Sequence, residues 1–330
     1  MVMPKKGSSN QFIKHLDTYS ILIMTVALVI FFLIKNPMFL SVGNLFNLVQ
    51  QNASLIVVSV GMTFIIISGN IDLSSGSIIV FTSCLAGIVF KATGDIWLAI
   101  AASICMATLI GLFNGFLISR LDINPVIATL SCMIWARGLA LAITGAESIT
   151  MDSPVLSAMY TPFLFNFVNI SLLIVICIFI LGWFLLTKTK FGRYTFAIGG
   201  NENSASQAGI KVKKIKLLIF TFAALLMGIA SVLDLGRLGS AVPTIGANME
   251  LDAIVAVVIG GNELAGGEGS FLKTLAGLLF MCILSNGIST LGVTDDIFDL
   301  IKGGIILGVL AIQVFCNGLR LRYLKATNAY

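Results

Sequence analysis

The side chains that could do chemistry in this chain are few and scattered. A single histidine, His15, lies near the start, and the six cysteines fall one by one in apolar runs with no CxxC spacing. A metal site built on histidine, or a histidine general base, is therefore not expected, and the cysteines read as small buried hydrophobes. No Gly-x-x-x-x-Gly-Lys-Ser/Thr loop occurs, so the chain lacks the usual cradle for nucleotide phosphates. What remains is a short set of polar groups inside otherwise apolar sequence: Asp72 in the run Gly69–Ser77, Arg137 in the middle of Val126–Thr144, and amides and hydroxyls such as Asn114, Ser131 and Asn286. An ionisable group at membrane depth is costly and by default marks a function. The amides and hydroxyls among them suit reversible hydrogen bonding to a passing neutral, hydroxylated solute, a reading that a pathway lined by strong charge would refute. An intramembrane enzyme would need a converging nucleophile, base or metal set, which these residues do not supply.

The elements that must hold these groups follow from composition. Of 330 residues, 58% are hydrophobic and 11% charged. A soluble domain carries about 25% charged residues, so the main solvent of this chain is lipid. The net charge of +5 then bears on orientation and does not point to nucleic acid. A spanning helix needs about 20 apolar residues. Uncharged gaps at 18–34, 96–119, 217–233, 274–294 and 303–319 each hold one span, and 36–71, 73–90 and 153–187 hold one apiece beside polar starts. Val126–Thr144 carries Arg137, which is expected to pair with a carboxylate or with backbone carbonyls. Ala253–Asn262 is too short to cross alone and adjoins Gly260, Gly261, Gly266, Gly267 and Gly269. It reads as a short or re-entrant helix, because irregular backbone at membrane depth must be satisfied by protein or a wet cavity. The expected fold is all-α and polytopic, with about ten transmembrane helices, broken in Gly-rich stretches, in one domain over 1–330.

Basic residues cluster in three places: Lys5, Lys6 and Lys14; a 188–216 segment with seven Lys and Arg against Glu202; and Arg320, Arg322 and Lys325. The bias of short basic loops puts all three in the cytoplasm, including the tails 1–19 and 316–330. Within 188–216, Ile198–Asn201 reads as a turn and Asn201–Ala208 as a short polar helix. Asn201 is its N-cap and Gly209 its stop. Its role is docking, or that of a simple loop. Asp72 suits the N-cap of the helix that follows it, and a gate or pathway role is the other reading. A second run, Gly261–Ser270, echoes Gly69–Ser77.

Five blocks in order resemble one family, the permease subunits of bacterial ATP-binding cassette importers for monosaccharides, the ribose-type group. They are Gly61–Phe64 with Gly69–Ser77; Asn114-Gly115 with Asn124–Leu130; Arg137-Gly138; Gly192–Tyr194 with Ala197–Glu202 and Ala208–Ile210; and Glu250–Gly261 with Leu264–Ser270. Departures are Asn70 for a usual Gly, Ser75 for Val, and Asn262-Glu263 for a Thr-Ser-like pair. The resemblance implies a subunit of the bacterial plasma membrane, with no cofactor and no catalytic chemistry of its own. Its implied partners are a second permease copy, an extracytoplasmic sugar-binding protein and a cytoplasmic ATPase. Asn201, Glu202, Ser204, Ala205, Ala208 and Gly209 would couple to that ATPase. Asp72, Asn114, Asn124, Arg137 and Asn286 are the expected pathway or gate residues. An ATP-independent secondary transporter or channel for a small neutral solute is the alternative.

Overall fold

The computed structural model describes residues 16–163, 168–244, 246, 248–293, 297–309 and 311. The expected tails lie mostly outside these residues. The described chain is almost wholly helical: α1 Leu16–Lys35, α2 Val42–Gln51, α3 Ala53–Ile67, α4 Ser75–Thr93, α5 Ile96–Arg120, α6 Pro125–Thr144, α7 Pro154–Tyr160, α8 Ile170–Lys188, α9 Lys190–Gly200, α10 Glu202–Gln207, α11 Val212–Leu238, α12 Met249–Ile259, α13 Phe271–Thr290 and α14 over 297–309. Several helices are capped by side chains at their starts and by glycine at their ends. Asp95, Asn124, Asn169 and Ser270 each accept a backbone N–H of the following first turn, and Gly94, Gly145 and Gly239 close helices in the left-handed conformation.

Six of the described helices, α4, α5, α6, α8, α11 and α13, are long and apolar enough to cross a membrane, and α2 with α3, bent by 51°, makes a seventh. The expected count of ten crossings is not confirmed among the described residues. The eighth expected span is α12, of 11 residues. It rises about 16 Å, half of a hydrocarbon layer roughly 30 Å thick. The tenth, expected over 303–319, runs beyond the described residues.

The packing centre is α3 with α11. Every residue of α3 except Ile56 is buried. A helix apolar on all sides is one enclosed by others. Helix α11 lies against α3, α4 and α5. Small residues let its backbone approach α5: a Cβ added to Gly115 would stand 3.0 Å from the Leu217 carbonyl, and one on Gly228 2.8 Å from the Ile104 Cα. Association in lipid relies on such close backbone approach. The hydroxyls of Ser103 and Ser231 meet across this seam at 2.5 Å.

One end of the bundle is clipped by two short strands, β1 Ile149–Thr150 and β2 Ser240–Ala241, antiparallel, with Ile149 opposite Ala241. They lie over Gly87 of α4. The opposite end gathers the turns after α3, α5 and α12 with α9 and α10. There Lys213 of α11 reaches Asp122 beyond α5 at 2.9 Å.

Candidate functional site

Asp72 sits between α3 and α4 and is buried. Its Oδ1 accepts the Ser74 backbone N–H at 2.7 Å and the Ser74 hydroxyl at 2.5 Å. Asp72 is not the N-cap of α4, as expected from sequence. Ser74 holds that position, and makes no side-chain cap bond. The carboxylate stands two residues earlier and fixes Ser74 itself. The same turn is tied sideways to two helices. The Leu73 N–H donates to Thr129 Oγ1 of α6 at 3.1 Å, and Asn114 of α5 donates its amide to the Ser74 hydroxyl at 3.2 Å. The Asn114 Oδ1 is buried with no partner among the described residues, as are the hydroxyls of Ser75 and Ser77. Most buried polar atoms are paired, so this concentration of unspent hydrogen-bonding capacity is unusual. Asn114 also borders a groove of 530 Å³ between α5 and α6, lined by Phe113, Leu117, Ser131, Cys132 and Trp135 among others.

Of the expected pathway residues, Asp72 and Asn114 thus come together. The other three lie elsewhere. Asn124 is exposed and caps α6, accepting the Val126 N–H at 2.9 Å. Asn286, near the far end of α13, accepts from the Asn44 amide at 2.9 Å, and Gln51 reaches Ser289 beside it at 3.1 Å. This amide cluster fastens α2 to α13.

Arg137 is half-buried in α6 and, among the described residues, makes neither a hydrogen bond nor an ion pair. The direct pairing expected for it is absent among the described residues. Glu250 is not among the expected pathway residues. It lies in the first turn of α12, buried, packed onto the bare Cα of Gly76 and with no partner for Oε2 among the described residues. Two residues on, Asp252 pairs with Lys302 of α14 at 2.5 Å. The signal available was the acid-apolar-acid run Glu250-Leu251-Asp252 opening a helix too short to span.

The 188–216 segment is helical through most of its length. Asn201 caps α10 as expected, its Oδ1 accepting the Ser204 N–H at 2.8 Å. The expected turn at Ile198–Asn201 is instead the last turn of α9, for a reason of packing: a Cβ on Gly199 would collide with the Ile67 carbonyl. Ala205 is 4% exposed and seats α10 on Ile198 and Val212. Asn201, Glu202, Ser204, Ala208 and Gly209 are exposed. Glu202 pairs with Lys216 at 2.5 Å, and Gly209, at φ +83°, ends the unit. The result is a small polar knob braced from one side.

The family described as "Branched-chain amino acid transport system / permease component" matches residues 44–310. The chain is 40% identical over 281 residues to the ribose import permease protein of Bacillus subtilis, covering 85% of this chain and 87% of that one. It is 34% identical to the ribose import permease protein of Escherichia coli K12, over 84% of this chain and 87% of that one. Against the L-arabinose transport system permease protein of Escherichia coli K12 it is 33% identical, over 92% of each. No solved structure matches.

Proposed function

Because the chain belongs to the ribose-type monosaccharide permeases of ATP-binding cassette importers, we propose that it moves a ribose-like pentose or a related sugar inward across the bacterial plasma membrane, driven by a separate cytoplasmic ATPase. The observation that carries this reading is the α10 knob: capped, braced through Ala205, and polar on its free side. Such a knob suits docking into a groove of a soluble subunit. The names of the ribose and arabinose permeases support a sugar over the amino acids in the family's description.

In this reading the knob face is cytoplasmic. The excess of Lys and Arg over 188–216 supports that orientation. An extracytoplasmic sugar-binding protein delivers the solute to the clipped face. A second copy covers the exposed apolar groove between α5 and α6, and brings Asn114 to a shared path. Asp72, Ser74 and Asn114 then offer hydroxyl, amide and carboxylate groups to a sugar, with Arg137 and Glu250 as charges deeper in. A ligand shifts an equilibrium between inward and outward states only by its differential affinity for them. Weak polar contacts are therefore enough for the path, and selectivity rests with the binding protein.

The test is reconstitution. Proteoliposomes holding this chain with its ATPase and binding protein should take up ribose only with ATP, and those holding the chain alone should not. Uptake by the chain alone would instead support an ATP-independent transporter or channel. Ala205→Pro, which breaks α10 at its seat, should leave membrane insertion intact and abolish ATP-driven uptake.

A further inference from the structure

Three segments far apart in sequence meet where no side chain separates them: the turn after α3, the last turn of α9, and the turn between α12 and α13. The Gly267 N–H donates to the Ile67 carbonyl at 2.9 Å. A Cβ on Gly266 would stand 2.6 Å from both the Cα and the nitrogen of Gly69. One on Gly267 would stand 2.7 Å from the Gly200 Cα, and one on Gly199 2.5 Å from the Gly267 nitrogen. Gly69, Gly266 and Gly267 also have positive φ. The need for glycine is local. A Cβ on Gly200, the very next residue of α9, would meet nothing within 4 Å.

The two ends of this junction matter. Gly200 is followed at once by Asn201, the cap of α10. Gly69 is three residues from Asp72 and five from Ser74, the partner of Asn114. Contacts between side chains can yield by changing rotamer, whereas backbone packed on backbone has no such slack and passes strain on. We propose that Gly199, Gly266 and Gly267 are positioning residues for transport. They lock the α9–α10 elbow to both Gly-rich turns, so that a displacement of α10 moves the Asp72 turn with it. This rests on α10 being the docking element. The stacked rings of Phe191 and Phe64, 5.4 Å apart, run beside the junction and join α9 to α3 as well.

The experiment uses the reconstituted complex of permease, ATPase and binding protein. Gly199→Ala should accumulate in the membrane, retain the ATPase and hydrolyse ATP, yet take up at least tenfold less ribose per ATP. Gly200→Ala should match the wild type. Unchanged uptake per ATP in Gly199→Ala overturns the proposal, as does an equal loss in Gly200→Ala. A second measurement does not depend on the variant folding. Spin labels at Ser206 and Ile71 of an otherwise native chain should keep a constant separation when a non-hydrolysable ATP analogue is added, while both move relative to a label at Thr150. A changed Ser206–Ile71 separation overturns the proposal. A wild-type complex with no ATP-dependent uptake would remove the docking reading itself, and this inference with it.

Discussion

The two Gly-rich turns that echo one another in sequence are built on opposite principles. In the second, Asn262 is buried and fully used. Its Oδ1 accepts the Ser270 N–H at 2.7 Å, and its amide donates to the Val257 carbonyl at 2.8 Å and to the Thr274 hydroxyl at 3.1 Å. These partners belong to α12, α13 and the turn between them, so Asn262 staples the turn to its own flanks, while backbone at Gly266 and Gly267 meets the neighbouring segments. In the first, Asp72 spends one oxygen on Ser74, and the network runs outward to α5 and α6 and ends on the unpartnered Oδ1 of Asn114. A satisfied amide holds a scaffold. A carboxylate at the head of an unfinished chain of donors and acceptors leaves capacity for something that comes and goes.

The largest effect that tests this contrast is Asp72→Ala. Losing both hydrogen bonds to Ser74, each worth about 0.5–1.5 kcal/mol, should slow uptake about tenfold or more, with membrane levels near normal by immunoblot. Equal loss of both would make Asp72 another scaffold group. Asn262→Ala should do the reverse, lowering the stability of the detergent-solubilised protein by about 1–3 kcal/mol, since Ser270 and Val257 are left unpaired. Uptake per folded molecule should hold, and a selective loss of rate would merge the two turns into one kind. Ser74→Ala removes one link from Asp72 to Asn114 and keeps the backbone bond. Its thermal stability should fall by about 0.5–1.5 kcal/mol, with a milder transport defect than Asp72→Ala. Glu202→Ala sets the floor. Its ion pair with Lys216 is half-exposed on the Glu202 side, so melting in detergent should shift by less than about 1 kcal/mol.

Much of the architecture could be read from charge spacing, because lipid forces most spans into uncharged runs between polar ends, with α6 and its Arg137 the exception. The shortness of α12 was visible for the same reason. Contacts were harder. Asp72 looked like a helix cap because acids before Ser-rich helix starts usually are, but helix α4 begins two residues later than that pattern implies. Asn124 stood in a block shared with a family and proved to be an exposed cap. Arg137 drew attention as a lone mid-helix charge, whereas the buried acid packed onto Gly76 is Glu250, over a hundred residues further on. The glycine junction is invisible to any local pattern. The glycines at 199 and 200 read as a turn by composition, whereas one is required by a neighbour across the fold and the other is not. The two-residue strands are too short to leave a periodic trace.

Those strands also anchor a long helix. Ile149 faces Ala241, and both side chains rest over Gly87. A slip of one residue would send both away from that seat. Since Ser240 follows α11 after a single glycine, the strand pair pins one end of a helix about 40 Å long, whose facing its glycine seam with α5 already holds. The other end of the same helix carries Lys213 and Lys216, the partners of Asp122 and Glu202. One rigid rod thus has the clip at its first end and the brace of the knob at its second.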